Sequence, residues 1–275
     1  MLASHKLRTK KNKSSISNFK ISVTFDQKII SLALGFLLPI LVLALWHVTT
    51  TTGIVPAYHL PTPVAVWAAS VDLINRGQLV PHILISTQRT LIGFAIGSAV
   101  GIVIGAFNGL SKFADALLSP ILAALRAVPS LAWVPLLILW LRIGEESRIT
   151  LVAIGAFFPV YTTLVSALRN VDSQLVEMGR QFGLKGFSLF KTIQLPSVIP
   201  SLTAGLRLAL AQAWLFLVAA ELIASSSGLG WLLTDSQQTG RIDRIILSIV
   251  LLATLGTLSN AVLGLFEKIL VRKWE

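Results

Sequence analysis

Three charged residues stand where an apolar chain tolerates charge least. Glu221, Arg126 and Arg207 each lie within a long hydrophobic stretch, and a charge at the centre of a bilayer costs about 2.5–3.5 kcal/mol or more. Each is therefore expected to face protein or water. Two uses are open. Arg126 lines a path for a small anion, or a gate closes around it; alternatively, Arg126 or Arg207 pairs with Glu221 as a buried strut, the weightier reading. Proton or sodium coupling commonly uses several membrane-embedded carboxylates, and only Glu221 answers that description clearly. ATP hydrolysis would need a Gly-x-x-x-x-Gly-Lys-Ser/Thr phosphate loop. Gly109-Leu110-Ser111-Lys112 lacks both the spacing and the Gly-Lys step. With no cysteine there is no disulfide, thiolate nucleophile or iron–sulfur site. His5, His47, His59 and His82 are scattered without ligand spacing, and no His/Asp/Ser cluster suggests an enzyme. The chain is expected to hold no catalytic residue, metal or cofactor of its own. Energy for any transport is expected to arrive through a partner.

A polar segment between two apolar stretches is the place for that partner. It reads Glu177-Met178-Gly179-x-x-x-Gly183, then nine residues, then Ile193-x-Leu195-Pro196. Asp172 or Ser173 can cap a short helix from Gln174 to Phe182, and Gly183 can take the left-handed conformation that ends it. A second short helix is predicted near Phe187–Ile193, stopped by Pro196, which turns the chain into the next span. Two short helices at an angle, tethered to spans on both sides, make a knob that can transmit a push.

The elements that must carry these residues are membrane helices. Hydrophobic residues make up 54% of the 275, charged residues 13%, and mean hydropathy is +0.79; soluble domains carry about 25% charged residues. The fold class is all-α, with about six transmembrane helices. Spans of about 20 apolar residues are predicted at Ile29–Val48, Thr90–Leu110, Leu117–Leu141, Ile149–Leu168, Leu202–Ala224 and Ile245–Phe266, the third kinked or broken at Pro129 and Pro135. The net charge of +11 does not point to nucleic acid. Much of it lies in residues 1–28, a basic, poorly ordered tail, and at Lys268, Arg272 and Lys273. With both termini in the cytoplasm, the inner segments hold roughly fifteen Lys/Arg and the outer loops about five, as the positive-inside rule asks. Residues 29–275 form one polytopic domain, with its core at 85–268. In the outer loop, Thr62 and Pro63 can open a short helix carrying Trp67, which either lies in the membrane interface or is an ordinary packed loop helix, and Gln88-Arg89-Thr90 opens span two. Gly93, Gly97, Gly101, Gly105 and Gly109, each four residues apart, lay a smooth groove along one helix face for close packing, within or between subunits. Trp133, Trp140 and Trp214 are read as packing or interface residues.

In spacing, the polar segment resembles the Glu-Ala-Ala-x-x-x-Gly signature, nine residues and Ile-x-Leu-Pro of ABC-importer permease subunits. Glu177, Gly183, Ile193 and Leu195-Pro196 match in register; Met178 and Gly179 replace the two alanines. The likeness extends over roughly residues 55–270. Leu125-Arg126-x-Val128-Pro129, Ala132-Trp133-x-Pro135-Leu136, Trp140-x-x-Ile143-Gly144-Glu145, Gly205-Leu206-Arg207 and Ala219-Ala220-Glu221 with Gly228-x-Gly230 are similar to permeases of the sulfonate/taurine/nitrate group. Leu175-Val176-Glu177-Met178 is most similar to aliphatic-sulfonate permeases. The resemblance implies a type I importer permease in the plasma (inner) membrane, moving a small solute by alternating access. It also implies an identical permease partner, a cytoplasmic ATP-binding subunit carrying ATP and Mg, and an external substrate-binding protein. Glu177 would pair with a basic residue of the ATPase. An organic sulfonate is the first substrate expected; taurine, nitrate, bicarbonate and small heterocycles stay open. The rival is an ion-coupled secondary carrier using Glu221.

Overall fold

Every regular element among the described residues is helical, as lipid demands when backbone groups must bond within their own segment. The computed structural model describes residue 35 and residues 37–272, and the chain divides into two units, Met1–Ala65 and Val66–Glu275. The tail 1–28, the start of the expected span Ile29–Val48, and Lys273 lie outside the described residues.

In the first unit, α1 (Leu37–Thr51) exposes Leu37, Leu38, Ile40, Leu41 and Leu45, a surface suited to hydrocarbon. It ends in four consecutive threonines. Each hydroxyl donates to the carbonyl one turn back, from Thr49 to Leu45 (2.8 Å) through Thr52 to Val48 (2.7 Å), so none needs a partner from solvent. Trp46 Nε1 donates to the Pro61 carbonyl at 3.0 Å and fixes the following loop. α2 (Pro63–Asn75) starts at a threonine cap, with the Ala65 N–H donating to Thr62 Oγ1 at 3.2 Å.

In the second unit, α2 buries Val66, Ala69 and Leu73 and leaves Trp67 exposed. Asp72 accepts from Arg76 (2.8 Å) and from Arg244 (3.0 Å). The Arg76 hydrogen bond first, and the Arg244 guanidinium with it, hold the Asp72 carboxyl below its usual range. Four helical stretches among the described residues are long and apolar enough to cross a membrane: Leu79–Leu110, Glu145–Arg169, Gly186–Ile223 and Ile242–Ile269. They supply α3 (Leu79–Leu110), α6 (Glu145–Arg169), α9 (Leu195–Ala224) and α11 (Ile242–Arg272). The expected third span, Leu117–Leu141, is two helices, α4 (Lys112–Ala127) and α5 (Trp133–Leu141), joined by a 3-10 turn at Ser130–Ala132. Pro129 disfavours a helical conformation in the residue before it; Val128 is accordingly extended, at φ −70° and ψ 124°.

Span two corrects the sequence reading at its start. α3 begins at Leu79, not Thr90, so Arg89 lies inside the helix and not at its opening. Hydropathy alone trims these first turns because Ser86 and Arg89 are polar, yet both are buried and partnered.

The glycine row packs α3 against α6. A Cβ at Gly93 would stand 2.6 Å from Val152, at Gly101 3.0 Å from the Phe157 carbonyl, at Gly105 3.3 Å from that of Tyr161, and at Gly109 2.7 Å from Leu168; at Gly97 it would strike the Ala153 carbonyl. Successive rungs of one helix thus meet successive turns of the other. α6 in turn packs on α9 through Val152, Ala156 and Val160 against Ala209, Ala213 and Leu217, two rows with i, i+4 spacing that interdigitate as ridges do. Gly155 admits the Phe216 ring, and Gly205 admits Thr163. More than half of α6's apolar window is buried (56%), against 11% for α11, so α6 is the centre of the unit and α11 its margin. α10 (Leu229–Gln238) completes the unit beside α9 and α11.

Candidate functional site

The loop between α6 and α9 is built by three local devices. Asp172 caps α7 (Ser173–Gln181), accepting the Gln174 N–H at 2.9 Å. Gly183 ends α7 at φ +82°. The Leu184 N–H returns to the Gly179 carbonyl and the Gly183 N–H to that of Arg180, both at 3.0 Å, a Schellman closure that requires this left-handed residue. Then α8 (Gly186–Leu189) runs through a π turn (Phe190–Gln194) directly into α9.

Here the reading of Pro196 needs correction. Pro196 does not stop the second short helix; helix continues from Gly186 to Ile223. Proline lacks an N–H and its ring collides with the carbonyl one turn back. The π turn widens the helix just before it, and the Leu195 N–H reaches back to Phe190, so Pro196 enters in the first turn of α9, where proline is tolerated.

Motif residues meet inside this loop. Gly179 is buried, and a Cβ there would stand 2.8 Å from Leu189 and collide with Ile193. The glycine of the first half of the motif is the seat for the isoleucine of the second. Leu195 and Pro196 are half-buried at the root. Glu177 and Met178 point outward, among other exposed apolar side chains: Leu175, Phe182 (80% exposed) and Phe187 (76%).

At the far end of α9 lies a buried charge network. Glu221 is paired neither with Arg126 nor with Arg207. Its partner is Arg89, at 2.7 Å, with side-chain exposures of 0% and 2%. Arg89 also grips Glu145, at the first residue of α6, through Nε (2.7 Å) and Nη2 (2.5 Å). Its remaining N–H groups reach the Ser227 carbonyl (2.7 Å) and hydroxyl (3.1 Å). Glu221 accepts from Ser86 (2.8 Å) and from the Gly230 N–H (2.8 Å), while Ser86 Oγ accepts the Leu229 N–H (2.8 Å) and His82 Nδ1 that of Gly228 (3.0 Å). Arg148 joins through Glu145 at 2.8 Å, so two cations balance two anions. Desolvating a buried pair costs several kcal/mol per ion, and here every donor of Arg89 is used to offset it. Gly228 (φ +111°) and Gly230 have no room for a Cβ, because the Glu221 side chain fills that space.

Sequence reasoning found Glu221 and noticed Gly228-x-Gly230, but missed Arg89, Ser86 and Glu145. The available signal was Ser86 and Arg89 three residues apart, on one face of a helix that hydropathy had cut short.

Arg207 turns to α11 instead, reaching Glu267 at 3.2 Å and Asn260 at 3.2 Å; it stands near the middle of α9, about 21 Å along the helix from Glu221. Arg126 has no hydrogen-bond or ion-pair partner among the described residues and borders a cavity of about 230 Å³ between α4, α5, α6 and α9. Of the tryptophans, Trp214 is buried and donates to Ser259 (2.9 Å), Trp140 is exposed, and Trp133 faces that cavity.

Residues 97–275 match the family described as the inner membrane component of binding-protein-dependent transport systems. The chain is 40% identical over 241 residues to the putative aliphatic sulfonates transport permease protein SsuC of Bacillus subtilis, covering 88% of this chain and 87% of that one. It is 39% identical over 235 residues to its Escherichia coli namesake, covering 86% and 89%. In fold it is similar to an inward-facing MetNI methionine ABC transporter chain, with a TM-score of 0.57 at 17% identity over 72% of this chain and 96% of that one. A helical chain with a capped, glycine-closed loop between its two most central spans, and with this ancestry, belongs to the binding-protein-dependent transport family as an ABC-importer permease subunit.

Proposed function

We propose that this permease imports a small organic anion, with an aliphatic sulfonate first, as half of a homodimer. A cytoplasmic ATPase pair carrying ATP and Mg drives it and an external binding protein feeds it. The homodimer follows from one chain supplying half a pathway; taurine, nitrate, bicarbonate and small heterocycles are the alternative cargoes. Both termini and the α7–α8 loop lie in the cytoplasm in this reading, supported by the lysine and arginine asymmetry. Closure of the ATPase pair would draw the two Glu177 loops together and tilt the broken third span with α6 and α9, opening the pathway outward.

The observation that carries this reading is the outer face of the loop. Leu175, Met178, Phe182 and Phe187 are large, apolar and exposed in the loop that carries Glu177, where the other exposed residues are mainly polar. Such a patch on a polar loop marks a protein-docking surface. The experiment is co-purification of the permease with the ATPase of its own operon, alongside uptake. Glu177→Ala is expected to weaken ATPase capture by more than tenfold, since a charge-assisted contact contributes about 1.5–3 kcal/mol. Phe182→Ser should do comparable harm. The secondary-carrier reading predicts the opposite ranking, with Glu221→Gln abolishing uptake and both loop variants active. Loop variants that bind the ATPase and transport at the unaltered rate would overturn the coupling proposal.

A further inference from the structure

The cavity beside Arg126 has the makings of an anion subsite. It lies where α6 contributes Phe158 and Thr162 and α9 contributes Gln212 and Phe216, near the middle of α6 and in the second half of α9, within two of the membrane-spanning stretches. Its polar lining is Arg126, Gln212 and Thr162, and no carboxylate borders it. Neither the Arg126 guanidinium nor the Gln212 amide has a hydrogen-bond partner among the described residues. The Thr162 hydroxyl donates its proton to the Phe158 carbonyl at 2.9 Å, and its oxygen remains able to accept a hydrogen bond. Trp133, Phe158 and Phe216 supply an apolar wall.

An uncompensated guanidinium at this depth cannot face hydrocarbon without the cost already noted for mid-membrane charge. The other intramembrane cations are committed: Arg89 to Glu145 and Glu221, Arg207 to Glu267. Arg126 alone among these three is left with a positive charge to offer. A cleft with one sign of charge and low-dielectric walls concentrates ions of the opposite sign.

We infer that this cavity is a transit subsite for a small amphiphilic oxoanion. Arg126 and Gln212 take the anionic head by charge-assisted hydrogen bonds, and the aromatic wall takes a short alkyl tail. The volume of about 230 Å³ suits a small anion with a short alkyl chain, not a nucleotide or a lipid. This deepens the permease proposal and rests on it.

The chain has no native cysteine, so a reporter can be placed cleanly. Leu208→Cys puts a thiol on the cavity border, and Ser188→Cys puts one on the exposed loop as reference. Each would be reacted, in the full permease chain in lipid nanodiscs without the ATPase so that the loop stays uncovered, with two methanethiosulfonates, one bearing a sulfonatoethyl and one a trimethylammonioethyl group. The anion-to-cation rate ratio at position 208 should exceed that at 188 by about tenfold or more. Hexanesulfonate should slow the reaction at 208 but not at 188. Arg126→Gln should bring the ratio at 208 down to the reference, while Arg126→Lys keeps most of it. Equal ratios at the two positions, or a ratio untouched by Arg126→Gln, overturn the inference. Protection by inorganic sulfate as strong as that by hexanesulfonate overturns the role of the aromatic wall. Should Arg126→Gln fail to assemble with the ATPase, Gln212→Leu serves instead, and an unaltered ratio in it sinks the subsite. Loss of ATPase capture by the unmutated chain would sink the coupling reading while leaving the labelling ratio to be judged separately.

Discussion

Arg89 and Glu221 behave as one unit. Two ions almost wholly removed from water stabilise the fold only while both are present; deleting one leaves the other uncompensated. Glu221→Ala and Arg89→Leu are each expected to lower stability by about 3–5 kcal/mol, whereas the paired Arg89→Met, Glu221→Leu variant should lose much less, because an apolar pair of similar volume leaves no stranded charge. Thermal unfolding in detergent of the three variants tests this; a double variant as damaged as the sum of the singles would show that the remaining hydrogen bonds, and not the pair, hold the site. The position of Glu221 was legible in sequence because a carboxylate inside an apolar run is conspicuous. Its partner was not, since Arg126, Arg207 and Arg89 are equally cationic and only the fold sets which of them reaches Glu221. The clue that went unread is Gly228-x-Gly230, two glycines whose missing side chains make room for the Glu221 carboxylate.

Among the elements, α3 and α6 are held by absence of side chain. Gly101→Leu is expected to force the two backbones apart and cut the yield of folded protein, since its Cβ alone would stand 3.0 Å from the Phe157 carbonyl. Ile102→Leu, which keeps volume, should cost under about 1.5 kcal/mol. Equal yields and melting temperatures for the two would refute a backbone seam. At Gly183 the restriction is conformational: a valine has open space there but must adopt φ +82°, which β-branched residues resist. Gly183→Val should therefore impair ATPase capture without loss of membrane insertion. The glycine row was readable because four-residue spacing is a helix property, and so were both ends of α7, which depend on neighbouring residues. The π turn was not readable. The sequence rule that proline ends a helix is sound locally, but a helix that widens ahead of the proline satisfies the same steric demand and runs on.

For the whole molecule, orientation is the test that reaches furthest. Single cysteines at Ser173 and Asp235 in intact cells should divide, with an impermeant thiol reagent modifying Asp235→Cys and sparing Ser173→Cys; labelling at 173 would invert the topology and with it the docking proposal. Helical class and the approximate spans followed from hydropathy, and the break between α4 and α5 from the prolines, while the true start of α3 depended on tertiary partners for its polar groups. The helical stretch from Gly186 to Ile223, continuous through its π turn, gives this plan a mechanical character. At about 1.5 Å per residue the rod is roughly 55 Å long, with the loop at one end, Glu221 near the other, and Gln212 about a quarter of the way from Glu221 toward the loop. If the rod pivots about the charge network, a tilt of about 5° sweeps the loop tip through roughly 5 Å and moves Gln212 by little more than 1 Å. The rod then works as a reduction gear of about fourfold, turning a long, soft stroke at the loop into a short, forceful one at the cavity.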